Sequence, residues 1–314
     1  MTGFGGPETL VARDLPDPEP GPGQALVDVA YANITFVETQ FRATGGGPLT
    51  ATPPLVPGNG VGGVVAAVGP GADPALVGTR VVSATGGTGG YASRAVVDAA
   101  GMYAVPPDLP LDLATAVLAD GRTATLLVRT AESKPGERVL VEAAAGGVGS
   151  LLVQLLAAAG AHVVAAVGGA RKLAVARELG AAEVVDYREP GWTAGVAPVD
   201  VVFDGVGGDV SRAAFGLLPR GGRLLSYGLA SGSWTPVTGD EAAARGVTVL
   251  RTAASPEQLR ACTESALAEA AAGRLRPLIG QRFPLDAAAD AHAAIESRAT
   301  VGKTLLEVRP ESRD

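Results

Sequence analysis

The chain has 314 residues, of which 47% are apolar and only 4% aromatic, and it contains 44 glycines. A chain of this length is expected to form two domains of about 150 residues, with alanine, valine and leucine filling their cores. The formal charge of -7 is not gathered into a long block of one sign, which argues against a nucleic-acid partner.

Cysteine content and the length of the apolar runs bear on cellular location. The single cysteine, Cys262, excludes an intramolecular disulfide, and the opening residues lack the basic and apolar regions of a signal peptide. Apolar runs such as 151–159 and 163–167 stop well short of the roughly 20 residues that a membrane span needs. We therefore expect a soluble, cytoplasmic protein with no membrane partner.

The composition and the hydrophobic pattern of the sequence change at about residue 116. The first hundred residues are rich in proline and glycine and hold β-branched runs at 25–29, 62–68 and 79–83, which predicts a compact, mostly β region. Farther on, apolar strands alternate with alanine-rich helical stretches, the pattern of βαβ units and a parallel sheet. The strands predicted there are Arg138–Glu142, His162–Val167, Glu183–Val185, Val199–Asp204, Arg223–Tyr227 and Val247–Arg251.

An α/β block flanked by two other segments predicts a cofactor domain at residues 116–254, inserted into a discontinuous domain of residues 1–115 plus 255–314. The polar tail after Pro310 is expected to fray. Before it, the last sixty residues hold two predicted helices and a final strand, at Pro256–Ala272, Leu285–Ser297 and Lys303–Val308.

The strongest local signal is the segment Val139–Ser150, where an apolar strand runs into a glycine turn and then an amphipathic helix. It departs from the G-x-G-x-x-G pattern in its first glycine, which is Ala144 here. Small residues at a helix N-terminus let backbone N–H groups approach a pyrophosphate, so the pattern predicts a Rossmann-type dinucleotide site. The alternative is a tight turn that only packs helix on strand. The candidate cofactor contacts are Ala145, Gly146, Gly147, Val148 and Gly149.

The end of the next predicted strand bears on the choice of cofactor. It runs into Gly168-Gly-Ala-Arg171-Lys172, where no carboxylate stands to grip a ribose 2′-hydroxyl and two cations follow. This favours NADPH over NADH, with Gly168, Arg171 and Lys172 as candidate contacts. The alternative is that both cations are solvated residues in the first turn of a helix.

Two further glycine segments, 204–208 and 227–232, follow the carboxyl ends of predicted strands, where ligands bind in open α/β sheets. Their glycines suit a backbone that lies close to a nicotinamide or its ribose, although glycine at a strand end is also an ordinary way to turn the chain. The candidate contacts in these segments are Gly205, Val206, Tyr227 and Gly228.

Together these motifs resemble the medium-chain dehydrogenase/reductase superfamily, in its zinc-free NADPH:quinone oxidoreductase (zeta-crystallin-like) branch, over nearly the whole chain. The resemblance implies a doubly wound parallel Rossmann sheet inserted in a discontinuous GroES-like domain, a cleft between the two, and a homodimer formed through the edge strand near Val247–Leu250. The matching motifs, in the family's order, are Gly5-Gly-Pro-Glu8, Pro20-Gly-Pro-Gly23, Gly58–Gly69, Val77–Val81, Gly90-Tyr-Ala92, Ala144–Gly149, Leu179-Gly-Ala181, Asp200–Gly208 and Gly302-Lys-Thr304.

The same resemblance implies roles for individual positions. Lys172 and Tyr187 would hold the adenosine 2′-phosphate side, with Gly168 leaving space for it. Thr123 would lie near the nicotinamide, and Lys303 would help to close the cofactor site.

Two departures from the family pattern bear on the substrate and on the edge of the β domain. The family commonly has Asn, Asp and Tyr where this chain has Thr35, Glu38 and Gln40, which implies altered substrate contacts and weakens any transfer of quinone specificity. The chain also opens at the Gly-Gly-Pro motif without the β-strand that usually precedes it. This implies a native start upstream of Met1 or an unusual edge of the β domain.

The chain offers few donors to a metal. Gly58-Asn59-Gly60 stands where zinc-dependent relatives carry a His–Glu pair. A catalytic zinc takes three His, Cys or carboxylate ligands and a structural zinc usually four cysteines, whereas the chain has one cysteine, Cys262, and two histidines, His162 and His292. We expect no metal site, and packing or surface roles for both histidines.

Without a metal, alcohol oxidation lacks a strong Lewis acid, whereas a conjugated acceptor spreads the charge that hydride transfer creates. The hypothesis is therefore NADPH-dependent reduction of a small molecule, either a quinone or an α,β-unsaturated carbonyl. We expect the acceptor to be held near Thr35, Glu38, Gln40 and Thr123.

The sequence leaves the substrate, the catalytic role and the proton donor open. The substrate is alternatively an acyl thioester, carrier-bound or linked to CoA, reduced by an enoyl reductase. Alternatively, the protein binds NADPH with little catalytic activity and serves a structural or regulatory role. Tyr31 and Tyr91 are candidate proton donors, although a tyrosine in a β domain is more often a core residue.

Overall fold

The computed structural model describes residues 1–47 and 49–309, and the chain divides into two compact units. The terminal unit joins Met1–Ala119 to the segment from Ala266 onward, and the central unit is Asp120–Ser265. The domain limits drawn from the sequence, at 115/116 and 254/255, stay a prediction. The expectation that the tail after Pro310 frays falls outside the described residues.

The elements follow one another as short strands, then alternating strands and helices, then a mixed C-terminal segment. The strands are β1 (Gln24–Ile34), β2 (Gly60–Val68), β3 (Arg80–Ala84), β4 (Arg94–Asp98), β5 (Tyr103–Ala104), β6 (Arg138–Glu142), β7 (His162–Val167), β8 (Glu183–Asp186), β9 (Val201–Asp204), β10 (Arg223–Ser226), β11 (Thr248–Leu250), β12 (Ile279–Pro284) and β13 (Lys303–Glu307). The α-helices are α1 (Phe36–Thr44), α2 (Leu111–Ala131), α3 (Gly147–Ala158), α4 (Ala170–Glu178), α5 (Gly208–Phe215), α6 (Gly239–Arg245), α7 (Pro256–Ala271) and α8 (Ala288–Glu296), with single 3₁₀ turns at Pro7–Thr9, Pro74–Leu76, Ala99–Gly101 and Leu285–Ala287.

The terminal unit is built around a sheet in the order β12-β13-β1-β2-β3-β5, with β4 also paired to β1. Strand β1 runs antiparallel to β13, β2 and β4, so most of its side chains are covered and the strand reads as a nearly continuous apolar run. Alanine and valine dominate the core beneath this sheet, including Ala25, Val27, Val29, Val61, Val65, Val81, Val97 and Leu306.

The central unit contains a parallel sheet in the order β11-β10-β9-β6-β7-β8. Counted along the chain from β6, this is the 3-2-1-4-5-6 order of a Rossmann fold read from the opposite edge. Strands β6, β7 and β9 are buried almost throughout, which explains their valine- and alanine-rich sequences. The sequence prediction of a parallel α/β block and a mostly β domain is confirmed.

Several elements differ from the sequence prediction. Strands β9 and β11 are shorter than predicted, and the helix expected at Leu285–Ser297 is a 3₁₀ turn followed by α8. Helix α1 and strands β4, β5 and β12 have no counterpart in the prediction. Among the described residues, no helix combines the length and the apolar character needed to cross a membrane.

Candidate active site

The glycine turn of the central unit follows β6 and leads directly into α3. Ala143 opens it with a φ of 49°, and its carbonyl accepts a hydrogen bond from the Gly146 N–H at 2.8 Å. A Cβ at Gly149 would overlap that same carbonyl, and a Cβ at Gly147 would overlap the Asp120 carboxyl. The first-turn N–H groups of a helix have no partner within the helix and attract anions, so this turn fits a pyrophosphate.

The other predicted contacts of this turn differ in exposure. Ala145 is buried beneath it, whereas Gly146 and Val148 are half-buried. Thr123 lies one turn of α2 beyond Asp120, three residues along the helix, and therefore on the same helix face. The central unit thus brings Thr123, Asp120 and the start of α3 into one neighbourhood.

The carboxyl ends of β7 and β8 lie at the same end of the parallel sheet as the glycine turn that follows β6. A Cβ at Gly168 would lie 2.7 Å from the Tyr187 hydroxyl, so Gly168 makes room for that ring. Asp186 accepts hydrogen bonds from the Gly169 N–H at 2.9 Å and from the Arg188 N–H at 3.0 Å. Although burial raises the pKa of the Asp186 carboxyl, these hydrogen bonds outweigh it and lower the pKa below its ordinary value.

Sequence reasoning missed Arg188. Its guanidinium lies over Gly169, where a Cβ would overlap it, and its side chain is 63% exposed. Arg171 and Lys172 begin α4 nearby, Arg171 exposed and Lys172 half-buried. The signal was present in the sequence, since Arg188 follows the end of a predicted strand, at Val185, by three residues.

The ends of β9 and β10 form the third part of this edge. The Tyr227 hydroxyl donates a hydrogen bond to the Glu142 carbonyl at 2.9 Å, and a Cβ at Gly205 would lie 2.5 Å from that hydroxyl. A Cβ at Gly228 would lie 2.6 Å from the Gly205 carbonyl oxygen. Burial raises the pKa of Tyr227 well above its ordinary value. The structure therefore brings the predicted segments 205–206 and 227–228 together.

The terminal unit contains the four other predicted residues, Thr35, Glu38, Gln40 and Lys303. Thr35 precedes α1 and donates hydrogen bonds from its N–H and its hydroxyl to Glu38 Oε2, at 2.6 and 2.7 Å. The other oxygen, Glu38 Oε1, accepts from the Asn59 N–H at 2.9 Å. Lys303, also buried, attracts the Glu38 carboxylate, but burial dominates and raises the Glu38 pKa above its ordinary value. Glu38 therefore fixes the start of α1, and the half-buried Gln40 lies farther along the same helix.

Asn33 is a second residue that sequence reasoning missed. It is 1% exposed, and neither Oδ1 nor Nδ2 of its amide has a hydrogen-bond partner among the described residues. A Cβ at Gly60 would lie 2.5 Å from its Nδ2 atom, so Asn33 occupies space that Gly60 leaves open. An asparagine in the otherwise apolar stretch 29–34 of β1 was the available signal.

The tyrosines and histidines have structural partners. Tyr31 and Tyr91 are both buried, and the Tyr91 hydroxyl lies 3.0 Å from His292 Nε2. Burial raises the pKa of Tyr91 well above its ordinary value and lowers that of His292 to about 3. His162 Nε2 lies 2.7 Å from Glu183 Oε1. Within residues 1–47 and 49–309, no three His, Cys, Asp or Glu side chains are grouped as metal ligands.

Two family models match the chain. The alcohol dehydrogenase GroES-like domain matches residues 21–107, and a family described as zinc-binding dehydrogenase matches residues 179–306. The matched segments fall in the β-rich N-terminal part and in the part that follows the glycine turn.

Relatives match over nearly the full length. A quinone oxidoreductase of Pseudomonas aeruginosa is 33% identical over 96% of this chain and 97% of its own. A 2-haloacrylate reductase of Burkholderia sp is 31% identical over 96% of each. Among solved structures, the Escherichia coli quinone oxidoreductase complexed with NADPH matches with a TM-score of 0.89 and 31% identity over 98% of each chain. The chain therefore belongs to the medium-chain dehydrogenase/reductase superfamily, in its zinc-free quinone oxidoreductase branch.

Proposed function

We propose that the protein is an NADPH-dependent oxidoreductase that transfers hydride, without zinc, to a quinone or to an α,β-unsaturated carbonyl. The observation that carries the proposal is the carboxyl edge of the central sheet, where the glycine turn, the Gly168–Tyr187 contact and the Gly205–Tyr227 contact follow adjacent strands. This is the edge at which open α/β sheets bind dinucleotides. A similar solved structure, from Escherichia coli, is complexed with NADPH.

Each part of that edge fits one part of NADPH. The N–H groups at the start of α3 would hold the pyrophosphate, since the glycines keep side chains away from it. Tyr187, Lys172 and Arg188 would hold the 2′-phosphate, because charge-assisted hydrogen bonds are the strongest that a phosphate accepts. The 205–206 and 227–228 segments would support the nicotinamide. When bound, the cofactor supplies the hydride.

The protein's part in the reaction is to orient the acceptor and to stabilise the negative charge that develops on its oxygen. The Thr35 hydroxyl donates to Glu38, so Thr35 and Glu38 shape the acceptor site through α1. Gln40 and Thr123, both half-buried, are the proposed donors to the acceptor oxygen. Zinc independence is supported by the shortage of ligands, since both histidines are engaged with other side chains.

The acceptor class has a second candidate within the same chemistry. The similarity to a 2-haloacrylate reductase favours an α,β-unsaturated carboxylate or carbonyl, in which hydride adds to carbon and a proton follows. Turnover of Gln40→Ala and Thr123→Val should fall with quinone and acrylate acceptors alike, while their Kd for NADPH stays at the wild-type value. Unchanged turnover in both variants would remove these residues from the acceptor site.

The cofactor assignment is tested by calorimetric titration of NADPH and NADH. Arg188→Ala and Lys172→Ala should each weaken NADPH binding by about tenfold or more and leave NADH binding nearly unchanged, because each removes a charged hydrogen bond of about 1.5–3 kcal/mol. Arg177→Ala is the matched control, since it removes an exposed cation from the last turn of the same helix, α4. If Arg177→Ala weakened NADPH binding equally, the cause would be the loss of net positive charge and not the loss of a contact with the 2′-phosphate.

A homodimer through β11 completes the proposal. This strand lies at one edge of the central sheet, and Val249 on it is 39% exposed, so a second β11 has free backbone groups with which to pair. Val249→Asp should shift the mass seen by light scattering towards a monomer. Val77→Asp, at an exposed valine of the terminal unit, is the control and should not.

We also propose that the protein works in the cytoplasm, where a reducing environment suits a chain with a single cysteine. Fractionation of the source cells tests this, and recovery outside the cytoplasm would contradict it.

A further inference from the structure

Two acidic residues end neighbouring strands of the central sheet. Glu142 is the last residue of β6 and Asp204 the last of β9. The register pairs Val141 with Phe203, so the two acids occupy the next pair of facing positions. Both are 0% exposed. The central sheet therefore carries two carboxyl groups side by side, away from water, beneath the proposed cofactor edge.

One oxygen of each carboxyl group accepts hydrogen bonds from backbone N–H groups of the turn that follows β9. Glu142 Oε2 accepts a hydrogen bond from the Val206 N–H at 3.1 Å. Asp204 Oδ1 accepts from the same N–H at 3.2 Å and from the Gly207 N–H at 2.7 Å. The remaining oxygens, Glu142 Oε1 and Asp204 Oδ2, are buried, and no donor among the described residues reaches them.

Two ionised carboxylates in this position would repel each other strongly, because little water is present to screen them. Each would also leave a buried oxygen without a donor. One proton between Glu142 and Asp204 removes both costs, since it turns one acid into a donor for the other. Burial, and next the charge of Asp204, raise the pKa of Glu142 well above its ordinary value.

We propose that Glu142 and Asp204 share one proton and, as positioning residues, hold the Gly205–Gly207 turn in the shape that cofactor binding requires. The link to the cofactor rests on the proposed function. The backbone of Glu142 also holds the neighbouring segment, because its main-chain carbonyl accepts a hydrogen bond from the Tyr227 hydroxyl, which lies against Gly205.

Loss of the shared proton has a definite direction. As the pH rises through the raised pKa of Glu142, a second negative charge appears beneath the turn, and the turn loses its fixed shape. The other titratable groups around it are Tyr227, which burial keeps neutral to well above its ordinary pKa, and Asp120 and Tyr187, which act on Tyr227 through their charges. NADPH affinity should therefore fall on the alkaline side.

The first test compares NADPH binding at about pH 7 and at about pH 9 in wild type, Glu142→Gln and Glu142→Ala. Wild-type Kd should rise by up to about tenfold per pH unit once the pair ionises. Glutamine donates permanently to Asp204 and still accepts from Val206, so Glu142→Gln should keep the neutral-pH affinity and lose the alkaline rise. Glu142→Ala should bind weakly at both values. An equal alkaline rise in wild type and Glu142→Gln would overturn the proposal.

The second test needs no cofactor. Infrared spectra of the wild-type protein in H₂O and D₂O should show the isotope-sensitive C=O stretch of a protonated carboxylic acid near neutral pH. The band should vanish in Glu142→Gln and persist in Glu38→Gln. If wild type fails to bind NADPH but shows this band, the proposed function fails while the shared proton stands. If the band is missing from wild type, the shared proton is refuted.

Discussion

Acid should destabilise the terminal unit through His292. This ring is 0% exposed, contacts Tyr91 and faces the Arg42 guanidinium, and burial with that charge lowers its pKa from 6.5 to about 3. Between these values the unfolded chain binds one more proton than the folded chain, so the free energy of unfolding falls as the pH falls. At about 1.4 kcal/mol per pKa unit, the loss reaches about 2 kcal/mol at about pH 5.

The assay is urea unfolding at about pH 7 and about pH 5, followed by circular dichroism. Tryptophan fluorescence is unsuitable because Trp192 and Trp234 both belong to the central unit. His292→Gln should lose about 2 kcal/mol less than wild type between the two pH values. His162→Gln, which alters a histidine with 40% side-chain exposure, should keep most of the wild-type loss. Equal losses in wild type and His292→Gln would show that His292 does not cause the loss of stability in acid.

Three further substitutions test local features. Gly149→Ala should cost about 1–3 kcal/mol and weaken NADPH binding, because its Cβ would overlap the Ala143 carbonyl; thermal unfolding should show no loss in Gly195→Ala, where the Cβ meets open space. Asn33→Leu should raise the free energy of unfolding by about 1 kcal/mol in urea titrations, because it removes two unpartnered buried polar atoms. Glu38→Ala should lower it by about 1–3 kcal/mol, since buried N–H groups lose their acceptor.

For each of these three substitutions, one outcome would contradict the contact on which the prediction rests. A Gly149→Ala protein as stable as wild type would show that the turn has room to relax. Destabilisation by Asn33→Leu would show that the amide has a partner such as an internal water, and a fall in turnover at unchanged NADPH affinity would make it an acceptor contact. Full stability of Glu38→Ala would mean that water replaces the carboxylate.

The central sheet was predictable because its signals are local. Strands β6 and β7 begin and end at the predicted residues, since each contains an apolar run, 139–141 in β6 and 163–167 in β7, with a turn close behind it. Helix α1 was missed because Phe36, Val37 and Thr39 favour strands. Its signals were nevertheless present: Thr35 and Glu38 have capping-box spacing, and Gly45 ends the helix with a φ of 71°.

The features of the fold and of the site that could not be predicted from the sequence depend on contacts between segments far apart in the chain. Strand β12 pairs with β13 through an irregular register, which no periodicity reveals. Tyr91 and His292 are 201 residues apart. The position of Arg188 over Gly169 follows from the pairing of β7 with β8, and the Glu142–Asp204 pair follows from that of β6 with β9.

We propose that the protein transfers hydride from NADPH to a conjugated acceptor. The most direct measurement is the loss of NADPH absorbance with p-benzoquinone, phenanthrenequinone and 2-chloroacrylate, each corrected for the reaction without protein and repeated with NADH. We expect rapid protein-dependent oxidation of NADPH by at least one acceptor, and slower oxidation of NADH. Binding of NADPH without oxidation by any acceptor would contradict the reductase, and failure to bind either cofactor would contradict the site itself.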